Sequence, residues 1–224
     1  MKPFVILPLL ILTTLLSFSQ DRITGHDFAT RSEILSRYGI AATSQPLATQ
    51  TAIDILRRGG NAIDAAIAAN AVLCVVEPTG AGIGGDLVAL IWSAEKGRMY
   101  GLNATGRSPI VLKINHFYDN VIGKIPAYGP LTLTVPGCID GWYEMNEMLG
   151  KLSMKDILQP AINYAREGFP VSEVVACLME KETDLLAEYP NIQNVFMPGG
   201  KSPGKGEIFR NPLLAATLEK LVKG

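Results

Sequence analysis

Residues 62–76, AIDAAIAANAVLCVV, constrain this chain more than any other stretch. Only Asp64 and Asn70 are polar there, and Asn61 stands where a helix N-cap belongs. The pattern predicts a helix buried nearly all round, whose alanines let neighbouring backbone come close. Such a helix needs cover on several sides, so it belongs inside a domain with a real core. The 224 residues, 48% hydrophobic and 18% charged, are enough to build one.

The flanking segments supply the cover. Gly39 to Thr43 reads as a short strand. A helix follows, with Ser44 as N-cap, Pro46 in its first turn and Ala48, Ala52, Ile55 and Leu56 on one buried face. Arg57 and Arg58 suit its last turn, and Gly59-Gly60 end it. Leu87 to Trp92 reads as a strand, SAEKGR as a turn, and Met99 to Leu102 as the hairpin partner. A further strand, Leu131 to Val135, stops at Pro136-Gly137. The remainder reads as mostly helical. Trp142, Met145 and Leu149 mark one helix, and Ser153 with Asp156 caps the next. Pro160 is expected to break or restart that helix, and Gly168 and Pro170 to end it. Ser172 opens a long helix to about Tyr189, residues 196–207 form a Gly/Pro/Lys loop, and Asn211-Pro212 opens a last helix. Helices around a few strands make this an α+β chain.

The first residues stand apart. MKPFVILPLLILTTLLSFSQ has one Lys, a short apolar run interrupted by Pro8, and small residues before a cut after Ser19. This is the pattern of a cleaved secretory signal, too short and broken for a membrane span. The expected organisation is a signal at 1–19, a leader at 20–38 and one domain at 39–224, placed in the periplasm or the medium. No Cys follows the apolar run, so a lipid anchor is not expected. A formal net charge of −1 leaves no basic face for nucleic acid. His26 and His116 are too few for a histidine-rich metal site, and Cys74, Cys138 and Cys177 fit no metal spacing. Cys74, in the apolar helix, reads as a buried thiol.

Gly80-Ala81-Gly82-Ile83-Gly84-Gly85 satisfies G-x-G-x-x-G, but in the wrong context. A dinucleotide loop needs a strand before it and a helix after it, so that the helix N-terminus meets the phosphate. Here the order is reversed, and Asp86 would repel a phosphate. Two readings stand for the glycines: positive φ with a tight backbone crossing, or a bare backbone that lets a substrate or another segment approach.

At this point the residues carry a resemblance. GIAATSQPLATQTAIDILRRGGNAIDAAIAANAVLCVVEPTGAGIGGD resembles the start of the gamma-glutamyltranspeptidase (glutathione hydrolase) family: Q-P-L-A, G-G-N-A-x-D-A-A, V-V-E-P and a glycine cluster in order. YGPLTLTVPGCIDGWYEMNEMLGKLSMKDILQPAINYAREGFPVS and FRNPLLAATLEKLVKG are similar too, so the resemblance runs from about Gly39 to Gly224. It implies an N-terminal-nucleophile hydrolase, a four-layer αββα sandwich made as a precursor that cuts itself. The new N-terminal Thr of a small subunit then attacks the acyl group, with its own α-amine as base. Nothing after residue 200 resembles the Thr-Thr-His start of that subunit. Thr30, Thr43, Thr105 and Thr132 lie in contexts that do not match it. The expectation is therefore a large-subunit portion of an incomplete sandwich, with no catalytic residue of its own and no metal or organic cofactor. Its expected partners are the small subunit and a small amide substrate.

One departure concerns the substrate. The resemblance implies an Arg four residues before a Pro, gripping the α-carboxylate of a glutamyl group. In LNATGRSP, Thr105 holds that position and Arg107 lies two before Pro109. Either Arg107 still reaches the carboxylate as a bidentate partner, or it points away and leaves Asn103 and Thr105 to line a pocket for another amide. Asp86 has two readings as well, a turn-capping residue or a wall of the site. Three functions remain open: a gamma-glutamyl hydrolase or transferase, an acylase or small-amide hydrolase on the same scaffold, or a non-catalytic exported fragment.

Overall fold

The structure, a computed structural model, describes residues 33–119, 125–126 and 128–223. The expected signal and most of the leader lie outside them, as do His26 and Thr30. The chain divides into a unit ending at Arg37 and a second unit from Tyr38 on, which holds every element below.

Helices α1, Pro46–Arg57, and α2, Ala62–Val76, come first. Strands β1, Leu87–Ser93, and β2, Arg98–Ala104, pair antiparallel, with Val88 opposite Asn103 and Trp92 opposite Met99. A short α3, Ile114–Asp119, precedes α4, Cys138–Leu149, and α5, Met154–Glu167. Two-residue strands β3, Phe169–Pro170, and β4, Ile208–Phe209, pair antiparallel. Between them run α6, Glu173–Lys181, α7, Thr183–Ala187, and α8, Pro190–Phe196, and α9, Pro212–Leu221, follows.

Helix α2 is the centre of the core. It packs on α1, α4 and α5, and α9 packs on α5. Leu87, Ala89, Ile91 and Leu102, on the inner face of the hairpin, join the same core. Only a narrow stripe of α2, marked by Ala62 and Ala66, reaches solvent. Its polar residues are both satisfied. Asn70 Oδ1 accepts from the Trp142 indole N–H at 2.9 Å. Asp64, fully buried, accepts from the backbone N–H groups of Asn61, Lys151 and Leu152 at 3.0–3.3 Å. One carboxylate thus closes the cap of α2 and ties it to the turn between α4 and α5. Asn61 completes the capping box, accepting from Ile63 and Asp64 N–H and donating to Leu149 C=O. The turn before it needs glycine. Gly59 has φ +96°, and the Gly59 and Gly60 N–H groups bond Leu56 and Ile55 carbonyls, the paired bonds of a Schellman end.

Several local expectations are corrected by tertiary contacts. Residues 39–43 form no strand: no partner strand is present among the described residues, and the Thr43 hydroxyl donates to Gln45 C=O. The N-cap of α1 is Gln45, whose Oε1 accepts from Leu47 N–H, while Ser44 donates to Glu77. Pro160 does not break α5. Ile157, Leu158, Ala161, Ile162 and Ala165 bury on either side of it, which outweighs a local cost of about 3 kcal/mol. The helix opened by Ser172 stops at Lys181. There the Ser202 and Thr183 hydroxyls both donate to Met179 C=O and compete with the helical bond. Residues 131–135 are not a strand either. Pro130–Thr132 make one 3-10 turn, closed by Thr132 Oγ1 on Gly129 C=O, and the extended residues beyond bond elsewhere.

Candidate active site

The residues that follow the 3-10 turn meet two other segments: the end of the glycine run and the continuation of β2. Asp86 Oδ1 accepts from Gly106 N–H at 2.7 Å and from the Thr134 hydroxyl at 3.3 Å. Val135 N–H donates to Arg107 C=O at 2.9 Å. Gly85 C=O accepts from Gly137 and Cys138 N–H at 3.1 and 3.0 Å. The backbones touch so closely that side chains are excluded. A Cβ on Gly106 would lie 2.0 Å from Val135 O, and one on Gly137 would lie 2.1 Å from Ala104 O.

The tight crossing expected at Gly80–Gly85 therefore exists at the end of that run, where Gly85 contributes its carbonyl, but the glycines that close contact requires are Gly106 and Gly137. None of Gly80, Gly82, Gly84 or Gly85 has positive φ, so that part of the expectation is corrected. Gly82 and Gly84 face open space, the arrangement of a bare backbone that another group can approach. The run does connect a helix to a strand, α2 to β1, the reverse of a dinucleotide loop.

The candidate substrate residues fall on one side of this crossing. Asn103 ends the outward row of β2, and Thr105 and Arg107 continue it beyond the ladder, all three exposed. Exposure alternates along the segment, with Ala104 and Gly106 partly covered between the three. Asn103 Oδ1 accepts from Thr105 N–H at 3.0 Å, a local bond just past the last ladder pair. Arg107 makes no ion pair among the described residues. Asp86 caps the Gly106 loop rather than its own turn. Sequence reasoning missed Thr134, Gly106 and Gly137, because their partners lie 20 to 48 residues away or more in the chain. An apolar cavity of about 440 Å³, lined by Tyr128, Pro130, Leu133, Leu185, Tyr189 and Ile192, opens one residue from Thr134.

The nucleophiles near the crossing are quiet. Cys138 opens α4, where a helix N-terminus would favour a thiolate. Burial, and then the Asp86 charge, push its thiol up to about 11 instead. Burial, and then Cys138, push Cys74 up to about 12. Both stay protonated at neutral pH. The Thr43 and Thr132 hydroxyls are engaged with nearby carbonyls. Among the described residues no cluster of His, Cys, Asp or Glu could hold a metal ion.

Residues 48–224 match the gamma-glutamyltranspeptidase family. A glutathione hydrolase-like proenzyme of Bacillus subtilis is 39% identical over 180 residues, which are 79% of this chain and 34% of that protein. The structure resembles the gamma-glutamyltranspeptidase of Helicobacter pylori with a TM-score of 0.81 at 30% identity, over 86% of this chain and 56% of that one. It also resembles the cephalosporin acylase of Bacillus halodurans, with a TM-score of 0.76 at 37% identity, over 89% of this chain and 39% of that one. The chain spans about a third of the length of the curated relatives it matches. The shared architecture is the N-terminal-nucleophile hydrolase fold, of which this chain forms a part.

Proposed function

The chain belongs to the gamma-glutamyltranspeptidase family, and on that premise we propose that it is the substrate-gripping part of an enzyme that hydrolyses or transfers the gamma-glutamyl group of glutathione-like amides. The nucleophile is an N-terminal Thr on a small subunit. Its Oγ attacks the amide carbonyl carbon, its α-amine takes the proton and delivers it to the leaving amine, and an acyl ester remains. Water or an acceptor amine then releases the acyl group and restores the Thr. This chain contributes Arg107, with Asn103 and Thr105 beside it, as the grip on the glutamyl α-carboxylate. The observation that carries this reading is the shared exposure of these three residues, on a segment that the Gly106–Asp86 hydrogen bond anchors at the glycine crossing.

A second reading, acylase action on a small uncharged amide, is favoured by one specific feature. Arg107 sits two residues from the position where the family resemblance places the carboxylate-binding Arg, and a cephalosporin acylase is among the similar structures. Glutamate competition separates the two. The full-length protein should release aniline from a gamma-glutamyl anilide, and free glutamate should inhibit it. Turnover of uncharged acyl anilides that glutamate leaves untouched would replace the gamma-glutamyl reading with the acylase one.

The hairpin supports the assignment of the small subunit as partner. Val88, Leu90, Trp92 and Met99 form an apolar outer face, 59–81% exposed. An αββα sandwich stacks two sheets face to face, and on this reading strands of the small subunit cover the outer face of the hairpin. Burying one such side chain is worth roughly 1.5–3 kcal/mol. Leu90→Lys, Trp92→Lys or both should therefore prevent co-purification with the small subunit while leaving the fold of this chain intact. Wild-type yields of an active, two-subunit Leu90→Lys/Trp92→Lys enzyme would refute the assignment.

A further inference from the structure

We propose that Asp86 is the positioning residue for Arg107: by holding the Gly106 N–H it sets which way the Arg107 side chain faces and so sets preference for a carboxylate-bearing acyl group. The proposal rests on the reading that Arg107 meets the substrate.

The sheet does not position Arg107. The β1–β2 ladder ends at Leu87 opposite Ala104, so residues 105–107 have no strand to lie on. Two hydrogen bonds replace the ladder. Gly106 N–H donates to Asp86 Oδ1 at 2.7 Å, and the Arg107 carbonyl accepts from Val135 N–H at 2.9 Å. The first is charge-assisted, the stronger class of hydrogen bond. The second reaches a segment that Asp86 also holds, through the Thr134 hydroxyl at 3.3 Å. Asp86 thus joins both sides of the crossing. Its own backbone is fixed just before it, where Gly85 C=O accepts from Gly137 and Cys138 N–H.

This arrangement fixes phase as well as place. In an extended segment, successive residues face opposite ways. With Gly106 turned in against Val135 O and Thr134, Arg107 has to turn out, beside Thr105 and Asn103. A slip of one residue would put Arg107 where not even a Cβ fits. Hydrogen bonds to Asp86 from a side chain and an amide therefore decide whether a cation is presented to the substrate side. Because Asp86 itself is exposed, removing its side chain should loosen this loop without unfolding the core.

The test uses the full-length protein and two substrates, a gamma-glutamyl anilide and an uncharged butyryl anilide. The readout is the ratio of their kcat/KM values. Asp86→Ala should lower the ratio by about tenfold or more, approaching the effect of Arg107→Ala. The double variant should fall no further than Arg107→Ala alone, because both remove one device. Asp86→Asn, which keeps an acceptor oxygen, should recover most of the ratio. Hydrogen exchange at the Gly106 amide should accelerate in Asp86→Ala and stay slow in Arg107→Ala. A ratio that Arg107→Ala lowers and Asp86→Ala does not, or a double variant in which the two losses multiply, overturns the proposal and leaves the functional reading standing. A ratio that Arg107→Ala leaves unchanged overturns the functional reading, and the proposal with it. Should Asp86→Ala fail to fold, Thr134→Val, which removes the other donor to Asp86 Oδ1, carries the test: an unchanged ratio together with unchanged Gly106 exchange overturns the proposal.

Discussion

Replacing Asp64 with Ala is expected to cost about 3–5 kcal/mol of stability, because several buried N–H donors lose their shared acceptor at once. The reason is local and specific. The carboxylate is fully buried and accepts from Asn61, Lys151 and Leu152 N–H, with Asn146 Nδ2 at 3.3 Å. An Ala leaves those donors buried without acceptors, each at a cost of about 1–3 kcal/mol, partly relieved by relaxation. It also opens the cap of α2, on which α1, α4 and α5 pack. At roughly 2–4 °C per kcal/mol for a protein of this size, the melting temperature should fall by about 6–20 °C. Asp64→Asn keeps one acceptor oxygen but turns an NH₂ toward backbone N–H groups, so it should lose a substantial part of the same stability. Thermal unfolding followed by circular dichroism reads both. An Asp64→Ala protein that melts within a degree or two of wild type would show that the carboxylate is not what joins α2 to the α4–α5 turn.

The second large effect falls on activity. If Arg107 grips the glutamyl α-carboxylate, Arg107→Ala removes a charge-assisted pair worth about 1.5–3 kcal/mol. At about 1.4 kcal/mol per tenfold, kcat/KM for a gamma-glutamyl anilide should drop by roughly 10- to 150-fold. The loss should concentrate on the charged acyl group. Precursor self-cleavage should continue, because that step involves no glutamate carboxylate. Arg107→Lys keeps the charge but not the planar fork, and should restore only part of the loss. Parallel losses on charged and uncharged acyl anilides would make Arg107 a structural residue. Losses on neither would take it out of the site and favour the small-amide reading.

The amino-acid sequence by itself determined the interior of this protein. Fifteen residues with two polar positions allowed one outcome, a covered helix, and α2 is that helix. Short-range signals placed its boundaries: Gly59-Gly60 ended one helix and Asn61 capped the next, because caps and αL turns involve residues only three or four apart. The β1–β2 hairpin was legible for the same reason, since its alternation and its turn are local. The family motifs, and with them the choice of Asn103, Thr105 and Arg107, were also on the page.

Only the tertiary structure decided how those residues are held. Residues 131–135 alternate like a strand, yet their extended part bonds Asp86 and Arg107 instead of a sheet. Pro160 should break a helix, yet five buried neighbours carry α5 through it. Asp64 looked like one polar exception in an apolar helix, and became the tie between α2 and a turn more than eighty residues away. Asp86 looked like the end of a glycine loop, and became the residue that fixes the segment bearing Arg107. For Asp64, Asp86 and residues 131–135 the deciding partner is remote in the chain. A hydrogen bond between segments far apart leaves no periodicity in either one, so it becomes visible only when the backbone has brought them together.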